Sequence, residues 1–167
     1  MKKLYLFLPM LLLAISCGVE NAVVTLHSTN STASACRGFS INSLPVAIGM
    51  DTNLYCLAER VFWSYDNQKL KILHAQFGAY CSAKLAMTAT AVGSIITVSH
   101  ADTSSGPRTT CICPFDMYCE IQGTFSSTVT MKVLGTSKGD VSFSLDPSKQ
   151  QGVYVVNDTL PWITVLP

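Results

Sequence analysis

Three cysteines, Cys111, Cys113 and Cys119, fall within nine positions of a stretch running from Thr110 to Ile121. In an extended strand alternate residues share a face, so these cysteines, with Phe115 and Met117 between them, are expected to point inward together. Neighbours two apart on a strand are separated by about 6–7 Å, more than a disulfide spans, so Cys111 and Cys113 should not pair with each other. Each is expected to reach a different strand, with Cys81 the expected partner of one because its hairpin precedes them. Pro114 has no N–H for the ladder and marks an edge position or a bulge. Asp116 falls on the face opposite Phe115 and Met117 and is expected in solvent.

The start of the chain determines how the cysteines are read. Met1-Lys2-Lys3 is a basic lead-in, and residues 4–13 form an apolar run too short to cross a bilayer, the pattern of a secretory signal. Leu13-Ala14-Ile15-Ser16-Cys17 resembles the lipobox of bacterial lipoproteins, with Ala14 where leucine is preferred. That resemblance implies a signal peptide over 1–16 and acylation of Cys17, palmitate included, anchoring the chain to the cell envelope, expected at the outer membrane. Removing the first 16 of 167 residues leaves 151, a length suited to one domain, and takes the formal charge from +1 to −1. The remaining Lys and Arg are scattered, which excludes a nucleic-acid footprint. With Cys17 lipidated, Cys36, Cys56, Cys81, Cys111, Cys113 and Cys119 are the disulfide candidates in an oxidising compartment.

Between Gly18 and Ala35, Ser, Thr and Asn dominate, and only Ala22 to His27 has strand character. Residues 17–35 therefore read as anchor and tether, with a β domain over 36–167. Residues 54–65 fit a helix through Leu54, Leu57, Ala58, Val61, Phe62 and Tyr65. They also fit a strand with Tyr55, Leu57, Val61, Trp63 and Tyr65 on one face. The strand is preferred, because Asp66-Asn67-Gln68-Lys69 turns directly into Leu70–His74. Lys84–Thr90 and Ile95–His100 form a second hairpin about Val92-Gly93-Ser94, and further short strands follow over 128–134, 141–145, 152–156 and 162–166. Short strands at this spacing point to an all-β fold, an antiparallel sandwich or barrel braced by disulfides.

The run Leu70-x-Ile72-x-His74, Cys81, Ser94-Ile95-Ile96-x-Val98 and Cys111-Ile112-Cys113-Pro114-Phe115-Asp116, with Glu120-Ile121, resembles the short cysteine-containing β lipoproteins of Bacteroidetes. The similarity covers residues 54 to 134. It implies a mostly uncharacterised cell-envelope protein and brings no catalytic residues. Cys119 and the tail from Gly135 depart from the pattern.

Residue types for chemistry are sparse. Cys111, Cys113 and Cys119 with Cys81 or His74 would make four zinc ligands, but the spacing and an oxidising address favour disulfides, so no metal and no cofactor is expected. There is no C-x-x-C, no G-x-S-x-G and no H-E-x-x-H. The expected function is a non-enzymatic envelope module that binds an envelope protein or glycan or plays a structural part. Trp63 and Tyr65 are its candidate binding aromatics, although such a row is more often core. One alternative is a hydrolase-like enzyme with a dispersed site and His74 or His100 as base. Another is a secreted eukaryotic or viral glycoprotein domain, since Asn30-Ser31-Thr32 and Asn157-Asp158-Thr159 are sequons.

Overall fold

The computed structural model describes residues 24–39 and 58–159. The expected signal peptide, Cys17, Cys56, Tyr55 and Trp162 lie outside the described residues. Nine strands follow in order: β1 (Thr25–Ala33), β2 (Glu59–Asp66), β3 (Lys69–Tyr80), β4 (Leu85–Val92), β5 (Ile95–Asp102), β6 (Ile112–Gln122), β7 (Val129–Thr136), β8 (Gly139–Leu145) and β9 (Gln151–Asn157). They form a single sheet in the order β8-β7-β5-β4-β1-β6-β3-β2-β9. The sheet curls until its two edges meet, where Phe143 of β8 stacks on Tyr154 of β9 with ring centroids 4.4 Å apart. The fold is thus all-β, one domain and disulfide-braced, a barrel closed by side chains along one seam.

Local chemistry explains the hairpins. Asn67 and Gln68 both have positive φ, the primed turn whose twist suits a two-residue connection between β2 and β3. Gly93, at φ +57, turns β4 into β5. In β4 Met87, Ala89 and Ala91 are buried, and in β5 Ile96 and Val98, so the period-two pattern aims one face of each strand inward. One pairing departs from the antiparallel expectation: β7 runs parallel to β5. The intervening β6 leaves that hairpin to lie between β3 and β1.

The tether reading of residues 25–33 does not hold, because β1 sits inside the sheet between β4 and β6. Its polar composition suits that place. Thr25, His27, Thr29 and Thr32 face solvent, while Ser28, Asn30 and Ser31 bind their neighbours. Ser28 Oγ accepts from Ala89 N (2.9 Å), Ser31 Oγ donates to Met87 O (2.5 Å), and Asn30 Nδ2 donates to Glu120 Oε2 (2.6 Å). A bulge at Asn30, φ +50, shifts the register between Thr29 and Thr32.

Inside the barrel, Val61, Trp63, Leu70, Ile72, Met87, Met117, Ile121, Met131 and Leu145 pack together. A second apolar cluster lies on the outer face of β2, β3 and β6, where Phe62, Leu73, Ala75 and Tyr118 are buried with Phe39 packed on them. This outer layer corrects the expectation for Asp116. Alternation does place its side chain opposite Phe115 and Met117, but the segment leaving β1 covers that face, and Asp116 is 0 % exposed. Its Oδ2 accepts from Phe39 N (2.6 Å) and its Oδ1 from Gln76 N (2.9 Å). Gly38 permits the approach: a Cβ there would lie 2.3 Å from Asp116 Oδ2. Gln76, at φ +60, is the bulge of β3 opposite the Pro114–Asp116 region, so the irregularity expected at Pro114 falls on its partner strand.

The binding role expected for Trp63 and Tyr65 is also corrected. Trp63 is 4 % exposed and lies against Gly152, where a Cβ would come within 2.6 Å of the indole. Tyr65 turns its hydroxyl to Phe125 N (3.1 Å) and Gly123 O (3.3 Å) and sets its ring edge-on to Phe125. Trp63 is interior packing, and Tyr65 lies half-buried against the core.

Candidate functional site

Three inward positions at one end of the barrel carry polar side chains. Glu59 stands two residues before Val61 on β2, His74 two after Ile72 on β3, and His100 two after Val98 on β5. Period two therefore aims all three into the interior beside the apolar core. His74 Nε2 lies 2.9 Å from Glu59 Oε1, His74 Nδ1 lies 3.0 Å from His100 Nε2, and His100 Nδ1 lies 3.1 Å from Leu134 O. The proton positions follow from the last contact. A carbonyl only accepts, so His100 donates from Nδ1; Nε2 of its neutral ring then accepts, and His74 donates from Nδ1. One proton is left for His74 and Glu59 to share. Ser137 N–H points at both Glu59 oxygens, at 3.3 and 3.2 Å, an arrangement that suits a carboxylate facing an imidazolium. His74 and Glu59 are both 0 % exposed. Burial first, and then the neighbouring charge of His74, lower the His100 pKa to about 3, which matches its neutral, accepting role.

His100 is the outermost member of this chain of hydrogen bonds. Its ring stacks on Phe77 (centroids 4.9 Å) and forms part of the wall of an open cleft of about 290 Å³. Tyr80, Leu85 and Ile112 are the other large apolar walls, and the Arg108 guanidinium sits 5.3 Å over the Tyr80 ring. Asp102 also borders the cleft. Its carboxylate is held by Ser104 N (2.9 Å) and Lys84 N (3.2 Å) rather than by a histidine. Both ring nitrogens of His100 are occupied, so the cleft meets its carbon surface. Neither His74 nor His100 is bonded to a Ser, Thr or Cys side chain among the described residues.

The same end of the barrel carries both disulfides. Cys81 bonds Cys111 and Cys36 bonds Cys113, with Cα separations of 5.6 and 5.8 Å. Cys111 and Cys113 thus reach separate partners, one of them Cys81, as their spacing requires. The backbone holds the same alignment: Cys81 N donates to Cys111 O (3.0 Å), Ala79 lies opposite Cys113, and Arg37 N donates to Pro114 O (2.9 Å). Cys119 is corrected from the candidate list. It is a free thiol, 0 % exposed among Met117, Ile121 and Leu70. Burial, and then the charge of Glu120, push its pKa up to about 12.

The histidines His74 and His100 named from sequence meet, while Trp63 lies in the core and Tyr65 half-buried against it. Glu59 and Arg108 were not anticipated. Glu59 has the inward parity of Val61, Trp63 and Tyr65, a signal that could have found it; Arg108 lies in a loop where no period applies. The sequon asparagines are both engaged. Asn30 binds Glu120, and Asn157 is 6 % exposed and donates to Ser137 Oγ (3.2 Å). No protein family, curated protein or solved structure matches the chain.

Proposed function

We propose that this chain is a cell-envelope lipoprotein anchored through Cys17, with a barrel that serves as a non-enzymatic binding module. Its seat is the cleft between Tyr80, Arg108 and Ile112. The observation that carries the reading is the pairing of apolar walls with one guanidinium held over an aromatic ring, at the end of the barrel that two disulfides brace. Such a seat takes an apolar group bearing an anionic head, presented by an envelope protein or glycan. The paired cysteines accord with an oxidising compartment and so with export.

A hydrolytic reading has a specific observation in its favour, the contact of His74 with His100. The occupied ring nitrogens and the lowered pKa of His100 make it a poor base, and among the described residues no hydroxyl or thiol bonds it, so binding is preferred. The glycoprotein reading would require Asn30 and Asn157 to give up the bonds they make.

The mature domain, immobilised, should capture its partner from envelope extract, and Arg108→Ala combined with Ile112→Ser should abolish capture while leaving the melting temperature within a degree or two. Capture that survives both substitutions would move the seat elsewhere. Cys17→Ser should abolish acyl labelling; persistent labelling would overturn the anchor.

A further inference from the structure

The two disulfides are neighbours in space as well as in sequence. The sulfur atoms of Cys36, Cys81 and Cys113 all lie within 4.8 Å of one another, and Cys111 is bonded to Cys81. Three sulfurs from three separate segments, the loop after β1, the turn after β3 and the start of β6, therefore converge, and the Cys81 bond holds the fourth, Cys111, beside them. A zinc ion bound by four thiolates at about 2.3 Å sets those sulfurs about 3.8 Å apart, so after reduction the two bonded pairs must part, while the unbonded contacts among Cys36, Cys81 and Cys113 draw in by about 1 Å or less. We infer that, when its disulfides are reduced, this cluster is a tetrathiolate site for a soft tetrahedral divalent cation of the zinc type.

The scaffold for such a site does not depend on the disulfides themselves. Ladder hydrogen bonds from Cys81 N to Cys111 O and from Arg37 N to Pro114 O hold the three segments in register around the sulfurs. Two cations lie on segments next to the cluster's cysteines. Arg37 follows Cys36 in the chain, and Arg108 stacks over Tyr80, the residue before Cys81. Four thiolates around a divalent ion carry a net charge of −2, which two guanidiniums offset. The sixth-strand thiol Cys119 is excluded by its position in the core.

The chemistry balances with a dithiol as reductant. Each protein disulfide takes two electrons and two protons from one dithiol, which closes to its own disulfide, so two dithiols yield four protein thiols. Metal binding then releases four protons as four S–M bonds form. Oxidation reverses the sequence and expels the ion. The end of the barrel that bears the cleft would be braced in either state, by S–S bonds in an oxidising compartment and by metal in a reducing one. This goes beyond the binding role above and does not depend on it.

Cobalt(II) added to the full chain after anaerobic reduction should bind one ion per chain with thiolate charge-transfer and tetrahedral d–d absorption. Cys113→Ser should lose those bands, and Cys119→Ser should keep them. Because a cysteine variant can fail to fold, a second measurement uses the unaltered chain. Zinc should slow N-ethylmaleimide labelling of Cys36, Cys81, Cys111 and Cys113 at least tenfold, read site by site by mass spectrometry, and EDTA should restore it. Octahedral cobalt spectra, or labelling rates at these four positions that zinc leaves unchanged, would overturn the assignment.

Discussion

Strands β2, β3 and β6 are buried on both faces, whereas β4, β5 and β7 are buried on one. In β3, the adjacent Ile72 and Leu73 are both 0 % exposed, and in β6 every residue from Phe115 to Ile121 is buried. In β5, by contrast, buried Ile96 and Val98 alternate with half-exposed Thr97 and Ser99. In the one-sided half water satisfies outward polar groups. In the two-sided half the protein must do so itself, and it does: Asp116 takes two backbone N–H groups, and Tyr118 donates to Glu120 Oε1 at 2.6 Å. Burial raises the Glu120 pKa, but hydrogen bonds from Tyr118, Asn30 and Lys69 outweigh it and hold the carboxyl below its ordinary value.

The largest expected difference comes from the staple that ties the outer cover to β6. By the loop-entropy relation, losing Cys36–Cys113, which spans 77 residues, costs about 4.5 kcal/mol, and losing Cys81–Cys111, which spans 30, about 3.6 kcal/mol. Urea unfolding of the two double-alanine variants should give that order; equal losses would mean the cover contributes nothing special. Next is Asp116→Ala, which strands the N–H groups of Gln76 and Phe39 in a dry layer and should cost about 3 kcal/mol. Thr88→Ala, on the exposed face of β4, should stay below about 0.5 kcal/mol. If the two variants unfold at the same denaturant concentration, the contrast between the halves is mistaken.

A smaller effect tests the one costly inward polar group of the one-sided half. His100 titrates at about 6.5 when unfolded and about 3 when folded, so the unfolded chain binds the extra proton between those values. Stability from this group is complete above pH 6.5 and falls with pH by roughly 1.4 kcal/mol per unit, about 2 kcal/mol by pH 5. His100→Gln should flatten that part of the slope; an unchanged slope would place the proton elsewhere. Smallest in energy is Cys119. With its pKa at about 12 and no exposure, iodoacetamide should leave it unlabelled until the protein unfolds, as mass spectrometry would show.

The same contrast explains what could be read in advance. Where one face is buried, as in β4, β5 and β7, alternation reveals strand, face and hairpin. Val61, Phe62 and Trp63 put apolar groups on both faces, so helix and strand periods both fit residues 54–65, and Asp116 reads as solvent-facing because alternation gives a face but not what covers it. The Cys81 link was legible because disulfide geometry excludes neighbours on one strand. The cover at Phe39 was not, since it depends on a loop crossing a sheet. Ala22 to His27 show strand character in the sequence, but residues 28–33 read as tether because Ser, Thr and Asn suit a linker and a half-wet strand equally well. The Glu59–His74–His100 array was legible as parity in three separate strands, and only their closure into a barrel brings the three together.

Strand β1 is early in the sequence but central in the sheet, and the ladders around it join distant residues: Ser28 faces Ile121, and Glu59 at the start of β2 faces Asn157. None of these contacts rewards the chain until long loops have closed, a topology that folds slowly. β1 can have no partner on one side before β6 exists, and the seam cannot form before β9. The local hairpins β2–β3 and β4–β5 can form early, but the closed barrel can exist only once nearly all of the described chain has been made.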